Sequence, residues 1–131
     1  MKLYLDSSAI VKLVQREAET DSLRQFLRRH RSDQYVTCTL ARVEVIRALA
    51  PAGAVALAQA RRQLARLDQV ALTVDLLDRA ANLAPTSLLR TLDAIHLAAA
   101  QLAGTELRAV VTYDQRMTAI ANQLGMPVEA P

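Results

Sequence analysis

Cysteine, histidine, lysine and aromatic residues are all scarce in this chain. Its 131 residues include one cysteine, Cys38, which excludes a disulfide framework and a cysteine-based metal site. Three tyrosines, one phenylalanine and no tryptophan are too few for a platform on which nucleic-acid bases stack. Because there are only two histidines as well, oxygen ligands are the main candidates for any metal site.

Long apolar segments and leader-like features are also absent. The apolar start of the chain ends at Asp6, so nothing resembles a signal peptide. The longest weakly apolar stretch, residues 48–60, contains Pro51 and Gly53 and is too short to cross a bilayer. We therefore expect a cytoplasmic protein without a membrane segment, folded as a single domain over residues 1–131.

The basic residues are almost all arginine. Lys2 and Lys12 are the only lysines among 16 basic residues, and the formal net charge is +3. Arginine has a planar, permanently charged group that suits phosphate, although a GC-rich coding sequence also favours arginine over lysine. The charge is therefore weak support for nucleic-acid binding, and any RNA ligand should be held through its backbone and shape.

Short apolar runs alternate with segments of helical periodicity. The apolar runs, predicted to be strands, cover residues 2–5, 35–38, 70–74, 109–112 and 127–128. The predicted helices cover residues 9–14, 17–30, 40–50, 51–67, 75–84, 91–103 and 114–124. Thr39 is expected to cap the third helix, and residues 85–87 to break the chain before the sixth. Continuously apolar strands that alternate with helices indicate a parallel sheet covered on both faces, which predicts a three-layer α/β/α sandwich.

Two aspartates follow predicted strands. Asp6 comes directly after the first strand, and Asp114 lies just past the strand at residues 109–112. Ligands of open parallel sheets bind beyond the carboxyl ends of the strands, at the point where the strand order reverses. Both residues are therefore candidates for a functional site.

Two further acids lie on predicted helices that are apolar nearly all round. Glu44 has only Arg42 and Arg47 as polar neighbours in its helix, and Asp93 is surrounded by leucine, isoleucine and alanine. Such helices are expected to be buried, and a buried carboxylate needs a compensating partner.

Each acid also has a purely structural interpretation. Asp6 and Asp114 could cap the helices that follow them, and Asp93 could interact with its helix dipole. Glu44 could pair with Arg47 one helical turn later. Four acids that converge would repel each other, however, and a hard divalent ion would remove that repulsion. With no cysteine cluster, Mg²⁺ or Mn²⁺ is favoured over Zn²⁺.

Four segments around these acids resemble the PIN-domain ribonucleases, in particular the VapC toxins of bacterial toxin–antitoxin pairs. The segments are LDSSAI at residues 5–10, TLARVEV at 39–45, LDAIHLA at 92–98 and VTYDQRM at 111–117. They occur in order and at similar spacing, so the resemblance covers essentially the whole chain. It implies a mostly parallel five-stranded sheet, RNA cleavage with Mg²⁺ or Mn²⁺, inhibition by a small VapB antitoxin and a homodimer.

The resemblance also assigns residues. The four acidic positions of the family fall on Asp6, Glu44, Asp93 and Asp114. Thr112 matches a hydroxyl two residues before the last acid, and either Ser7 or Ser8 matches the small polar residue after the first. Where some relatives have a further acid this chain has Arg116, so the number of ions is left open.

The expected reaction is hydrolysis of an RNA phosphodiester by water. Asp6 and Asp93 are expected to bind the ion directly, while Glu44 and Asp114 complete its surroundings and Glu44 accepts a proton. Attack by the 2′-hydroxyl of RNA is less attractive because no pair of acid–base histidines is available. His30 lies in a basic helix end, and for His96 a structural role is favoured over a supporting role at the site.

The arginines that flank the acids are the candidate RNA contacts. They are Arg42, Arg47, Arg90 and Arg116. Two rival interpretations stay open: a catalytically silent RNA- or protein-binding module, and a phosphatase with a phospho-accepting Asp6. The phosphatase interpretation is disfavoured because such sites use a lysine beside a later strand end, whereas this chain has only Lys2 and Lys12.

Overall fold

Five parallel strands form one sheet in the computed structural model, which describes residues 1–85 and 88–131. The strands are β1 (Lys2–Leu5), β2 (Gln34–Cys38), β3 (Asp68–Val70), β4 (Leu107–Val111) and β5 (Val128–Glu129). Their order is β3-β2-β1-β4-β5, and all neighbouring pairs are parallel. The chain adds β2 and β3 on one side of β1 and β4 on the other, so the strand order reverses between β1 and β4.

Helices cover both faces of the sheet. They are α1 (Ser7–Val14), α2 (Thr20–Arg29), α3 (Ala41–Leu49), α4 (Ala54–Ala65), α5 (Val74–Ala81), α6 (Thr91–Gln101) and α7 (Gln115–Gln123). Two short 3₁₀ helices lie at Ala50–Ala52 and Gly104–Glu106. None of the helices in the described ranges is long and apolar enough to cross a membrane.

The strands divide their side chains between two separate cores. In β1, Tyr4 packs into the core that contains buried residues of α5, α6 and α7, whereas Leu3 and Leu5 pack into the core that contains those of α1 to α4. β4 alternates in the same way, with Val110 in the first core and Val111 in the second. Successive side chains of a strand point to opposite faces, so a sheet with two apolar faces buries both. The predicted three-layer α/β/α sandwich is confirmed.

The third strand was predicted in the wrong place. Residues 70–74 were expected to be the strand, but β3 ends at Val70, and Val74 begins α5. The side chain of Thr73 accepts a hydrogen bond from the backbone N–H of Leu76, which makes Thr73 the N-cap of α5. The apolar character of this segment therefore belongs partly to a strand and partly to a helix.

Two predicted helix starts also differ from the structure. The hydroxyl of Thr39 does not cap α3 but accepts a hydrogen bond from the N–H of Leu72 at 3.2 Å. The predicted helix over residues 51–67 is interrupted at Gly53. Its φ of 96° is a backbone conformation that residues other than glycine rarely adopt. α4 begins after this residue.

The break predicted at residues 85–87 lies mostly outside the described residues, since these exclude Thr86 and Ser87.

Leu97 should be a major contributor to the core between α6 and the sheet. Its side chain is completely buried, so Leu97→Ala should lower the free energy of unfolding by about 2–5 kcal/mol. Leu88, which is 98% exposed, provides the matched control, because Leu88→Ala should change it by no more than about 0.5 kcal/mol. Urea denaturation followed by circular dichroism measures both. Equal effects of the two substitutions would contradict this assignment of the core.

Candidate active site

The candidate site lies at the carboxyl edge of the sheet, between β1 and β4. Asp6 follows β1, and its backbone N–H donates to the carbonyl of Val111 at 3.2 Å, which holds the two strand ends together. Thr112 and Asp114 follow β4 directly. The topology therefore places both predicted strand-end aspartates at the point where the strand order reverses.

Asp6 is a buried carboxylate, 4% exposed, with three hydrogen-bond donors around it. Its Oδ1 accepts from the Ser8 hydroxyl at 2.6 Å and from the N–H of Ala9 at 3.0 Å. Its Oδ2 accepts from the Thr112 hydroxyl at 2.6 Å. Burial raises the pKa of Asp6, and these hydrogen bonds limit the rise. Asp6 caps α1 and also joins α1 to the end of β4.

Asp114 caps α7 and is linked to Asp6 through Thr112. Its N–H donates to the Thr112 hydroxyl at 3.1 Å, and its Oδ1 accepts from the backbone N–H groups of Arg116 and Met117 at 2.8 and 3.0 Å. Burial raises the pKa of Asp114, but the backbone donors and the charge of Arg90 outweigh burial and lower it. Capping leaves the other carboxylate oxygen, Oδ2, for a second role.

Glu44 is anchored by two side chains that lie far from it in the sequence. Its Oε1 accepts from the Ser7 hydroxyl at 2.7 Å and lies 2.5 Å from His96 Nε2. Burial raises the pKa of Glu44, but the hydrogen bonds from His96 and Ser7 outweigh it, so the pKa is lowered. The alternative pairing of Glu44 with Arg47 is not what holds this carboxylate. Ser7 and Ser8 thus each support a different acid.

One arginine connects the two remaining acids. Arg90 Nε donates to Asp93 Oδ2 at 2.7 Å, and a second nitrogen of the same guanidinium donates to Asp114 Oδ2. Asp93 lies in the first turn of α6, as expected, with its side chain 13% exposed. Arg90 therefore stands between an acid of α6 and the acid that caps α7.

A cavity of about 510 Å³ opens beside these residues. Glu44 and Asp114 line it together with Ser7 and Ser8. Because Asp6 bonds directly to Ser8, the buried carboxylate lies one hydrogen bond away from the cavity wall. The cavity gives a ligand access to the acidic edge of the sheet.

The four acids do not form a closed set of metal ligands. In the part of the chain that the structure describes, no three side chains of histidine, cysteine, aspartate or glutamate are arranged to hold an ion. The expected repulsion is instead offset within the chain, by Arg90 beside Asp93 and Asp114 and by hydrogen bonds from His96 to Glu44. The candidate ligand atoms are carboxylate oxygens, which suit Mg²⁺ or Mn²⁺. An ion at Asp93 and Asp114 would require Arg90 to move away.

Of the four predicted RNA contacts, Arg90 lies at the acids. Arg42 and Arg47 are exposed on α3, and Arg116 is exposed at the start of α7. Their contacts with RNA stay predictions.

Lys12 and Tyr4 were not assigned to the site from the sequence. Lys12 lines the cavity and bonds to Glu17 and Glu19, so this lysine is engaged away from Asp6, unlike the lysine of a phosphatase site. The sequence feature that could have identified Lys12 is its position on α1, one helical turn after Ser8. Tyr4 donates to or accepts from His96 at 2.8 Å. Its signal was its position two residues before Asp6, on the same face of β1.

Asp6→Asn should change the pH dependence of stability in a defined direction. Because the pKa of Asp6 is raised in the folded protein, ionised Asp6 costs the folded state free energy at pH 7. This cost disappears as the pH falls through the raised pKa toward about 4, the value in an unfolded chain. The unfolding temperature of Asp6→Asn minus that of wild type should therefore be higher at pH 7 than at pH 4.

Thermal denaturation in EDTA at both pH values measures this difference. Asp75→Asn is the matched control, because Asp75 is 78% exposed and its ion-pair partner among the described residues is Arg79. If the unfolding temperature of Asp6→Asn minus that of wild type is the same at both pH values, or higher at pH 4, the assignment of a raised pKa is contradicted.

Comparisons with known proteins agree with the resemblance found in the sequence. Residues 3–123 match the PIN domain family. Ribonuclease VapC46 of Mycobacterium tuberculosis (strain ATCC 25618 / H37Rv) is 52% identical over 98% of this chain and 97% of its own. Ribonuclease VapC35 from the same strain is 40% identical over 98% of this chain and 96% of its own.

A solved structure with a similar fold is that of VapBC2 from Rickettsia felis bound to a DNA fragment from their promoter. One of its chains superposes with a TM-score of 0.70 at 14% identity, covering 98% of both chains. At this identity the likeness concerns the fold alone. Together with the sequence matches, it shows that the chain belongs to the PIN-domain family and, within that family, to the VapC ribonucleases.

Proposed function

We propose that this chain is a Mg²⁺- or Mn²⁺-dependent endoribonuclease that acts as the toxin of a VapBC pair. The observation that carries the proposal is that Glu44 and Asp114 line one cavity, with Asp6 one hydrogen bond behind its wall, at the reversal point of a parallel sheet. Membership of the VapC ribonucleases supports RNA as the substrate.

The ion would be held by the four carboxylates Asp6, Glu44, Asp93 and Asp114. When bound, it would supply positive charge for the phosphodiester and help to generate the nucleophile from water. What supports this assignment is the all-oxygen set of ligand atoms, its negative charge and the access that the cavity gives to Glu44 and Asp114. Ser8 and Thr112 fix the orientation of Asp6, whose burial excludes bulk water from one side of the site.

Glu44 is the proposed proton acceptor. Its lowered pKa keeps the carboxylate ionised at neutral pH, and it lines the cavity in which substrate would lie. Arg90 bonds to two of the acids and Lys12 lines the cavity, and each could move from its present carboxylate partners to a phosphate oxygen of RNA. Arg42, Arg47 and Arg116 would contact RNA farther from the scissile bond.

The partners follow from the family. We propose a small VapB-type antitoxin as the inhibitor, by analogy with the VapBC2 complex. We also propose a homodimer in the cytoplasm.

Asp6→Asn and Asp93→Asn should abolish RNA cleavage without unfolding the protein. Losing a partner that only orients a metal ligand typically costs 10–100-fold in activity, so losing a ligand should cost more than about 100-fold. Cleavage of total RNA with Mg²⁺, Mn²⁺ or EDTA measures the effect, and circular dichroism verifies the fold. Asp75→Asn, which changes an exposed aspartate outside the site, should cleave at the wild-type rate.

Three outcomes would contradict the proposed metal-dependent cleavage. Full activity of Asp6→Asn, or of the wild type in EDTA, would remove the metal mechanism. A wild-type protein that binds RNA without cleaving it would identify a catalytically silent module instead.

In cells, expression of the protein should arrest growth unless the antitoxin is co-expressed. Growth that is indifferent to expression would rule out the toxin role.

Arg90→Gln should strengthen the binding of Mn²⁺ in the absence of RNA. The guanidinium and the ion would compete for the same oxygens of Asp93 and Asp114. Because Arg90 is about half exposed, each of its two ion pairs contributes only about 0.2–1 kcal/mol, so we expect an increase in affinity of about two- to thirtyfold. Isothermal titration calorimetry measures it.

Arg116→Gln is the matched control for this experiment. It removes the same charge two residues after Asp114, but the Arg116 side chain has no ion pair with any described acid. Its effect on Mn²⁺ affinity should therefore be smaller than that of Arg90→Gln. Weaker binding in Arg90→Gln would show that Arg90 organises the acids for the ion and does not compete with it.

A further inference from the structure

A buried hydrogen-bonded chain runs from β1 through α6 to the cavity. Tyr4 is 1% exposed and His96 is 2% exposed, and the tyrosine hydroxyl lies 2.8 Å from His96 Nδ1. Their rings meet edge to face, with centroids 5.9 Å apart. On the other side of the imidazole, Nε2 lies 2.5 Å from Glu44 Oε1. The Tyr4 side chain lies in the core that contains buried residues of α5, α6 and α7, and His96 lies on α6, whereas Glu44 lies on α3, on the other face of the sheet.

The chemistry of the two ends fixes the direction of the hydrogen bonds. A glutamate is ordinarily ionised at neutral pH, and an ionised carboxylate can only accept hydrogen bonds. His96 Nε2 must therefore carry a proton and donate it to Glu44. A tyrosine ordinarily keeps its phenol proton at neutral pH. The Tyr4 hydroxyl lies 2.8 Å from His96 Nδ1. The Thr37 hydroxyl is a second group near Tyr4, and it donates its own hydrogen to the carbonyl of Leu5. A neutral imidazole with its proton on Nε2 offers Nδ1 as the acceptor that the buried Tyr4 hydroxyl needs.

We infer that Tyr4 and His96 are positioning residues for Glu44. Tyr4 donates to Nδ1 and thereby holds the ring in the tautomer that has its proton on Nε2, and this proton fixes Glu44 Oε1. The Ser7 hydroxyl donates to the same oxygen at 2.7 Å, while Oε2 accepts no hydrogen bond from a described residue. The carboxylate is thus held by one oxygen, and the other stays available to the cavity. The inference rests on the proposed function of Glu44.

A purely structural role for the Tyr4–His96 pair is the competing explanation. Two buried polar groups that satisfy each other stabilise a core whether or not a third residue benefits. The two explanations differ in one respect: positioning requires that the effect of Tyr4 on the site depends on the carboxylate of Glu44. A double-mutant cycle measures this dependence.

Tyr4→Phe is the informative variant because it removes one oxygen atom and keeps the ring in the core. Partners beyond the ligands of a metal site contribute about 10–100-fold to affinity or activity. Tyr4 is one hydrogen bond beyond His96, so Tyr4→Phe should weaken Mn²⁺ binding by about tenfold. It should lower kcat for RNA and leave KM unchanged. With Glu44→Gln already present, Tyr4→Phe should have no further effect on either quantity.

Tyr35→Phe is the matched control. Its hydroxyl also makes a hydrogen bond, to the carbonyl of Leu27 at 2.7 Å, but it lies in the other core. This variant should lose stability without a change in Mn²⁺ affinity or kcat. Equal losses of Mn²⁺ affinity in Tyr4→Phe and Tyr35→Phe, or the same loss from Tyr4→Phe with and without the Glu44 carboxylate, would overturn the inference.

Nitrogen NMR of the metal-free protein tests the geometry independently of catalysis. The chain has two histidines, so His30→Gln assigns the spectrum. His96 should show a protonated Nε2 and an unprotonated Nδ1 that accepts a hydrogen bond, and the Nδ1 signal should move toward that of an unbonded nitrogen in Tyr4→Phe. A proton on Nδ1, or no response to Tyr4→Phe, would refute the network. If the wild type bound no Mn²⁺ and cleaved no RNA, the proposed function would fail, and the NMR result alone would decide whether this chain holds Glu44.

Discussion

The burial of a carboxylate at the end of the central strand is the constraint on which the site depends. Asp6 can stay buried because Ser8, Thr112 and the N–H of Ala9 all donate to it. These donors come from the first turn of α1 and from the end of β4, so satisfying one charge fixes how a helix and two strands meet. Thr112 then accepts the N–H of Asp114, which extends the same arrangement to the cap of α7.

Around this centre the chain balances its own negative charge. Arg90 bonds to two acids, and His96 together with Ser7 holds a third. The sequence predicts that these acids repel each other and that a divalent ion would remove the repulsion, and in the structure hydrogen bonds and one guanidinium offset part of it. Metal binding is therefore proposed from the chemistry of the carboxylate oxygens and from membership of the VapC family.

Local signals predicted most of the fold and failed where two elements share one apolar segment. Residues 70–74 contain the end of β3 and the start of α5, and periodicity cannot separate two such short pieces. Thr39 has the composition of a helix cap, yet its hydroxyl is taken by the N–H of Leu72 from a neighbouring loop. The competing partner is distant in sequence, so no local pattern could reveal it.

The sequence by itself determined the order of strands and helices, the two apolar faces of the sheet and the four acids. These features follow from the residue types and their spacing along the chain. Only the tertiary structure decided which donor each acid receives: Ser7 and His96 at Glu44, Ser8 and Thr112 at Asp6, and Arg90 between Asp93 and Asp114. The reason is physical, because hydrogen bonds and ion pairs act over a few ångströms in space, and the packing of helices on the sheet sets which side chains of remote segments come that close.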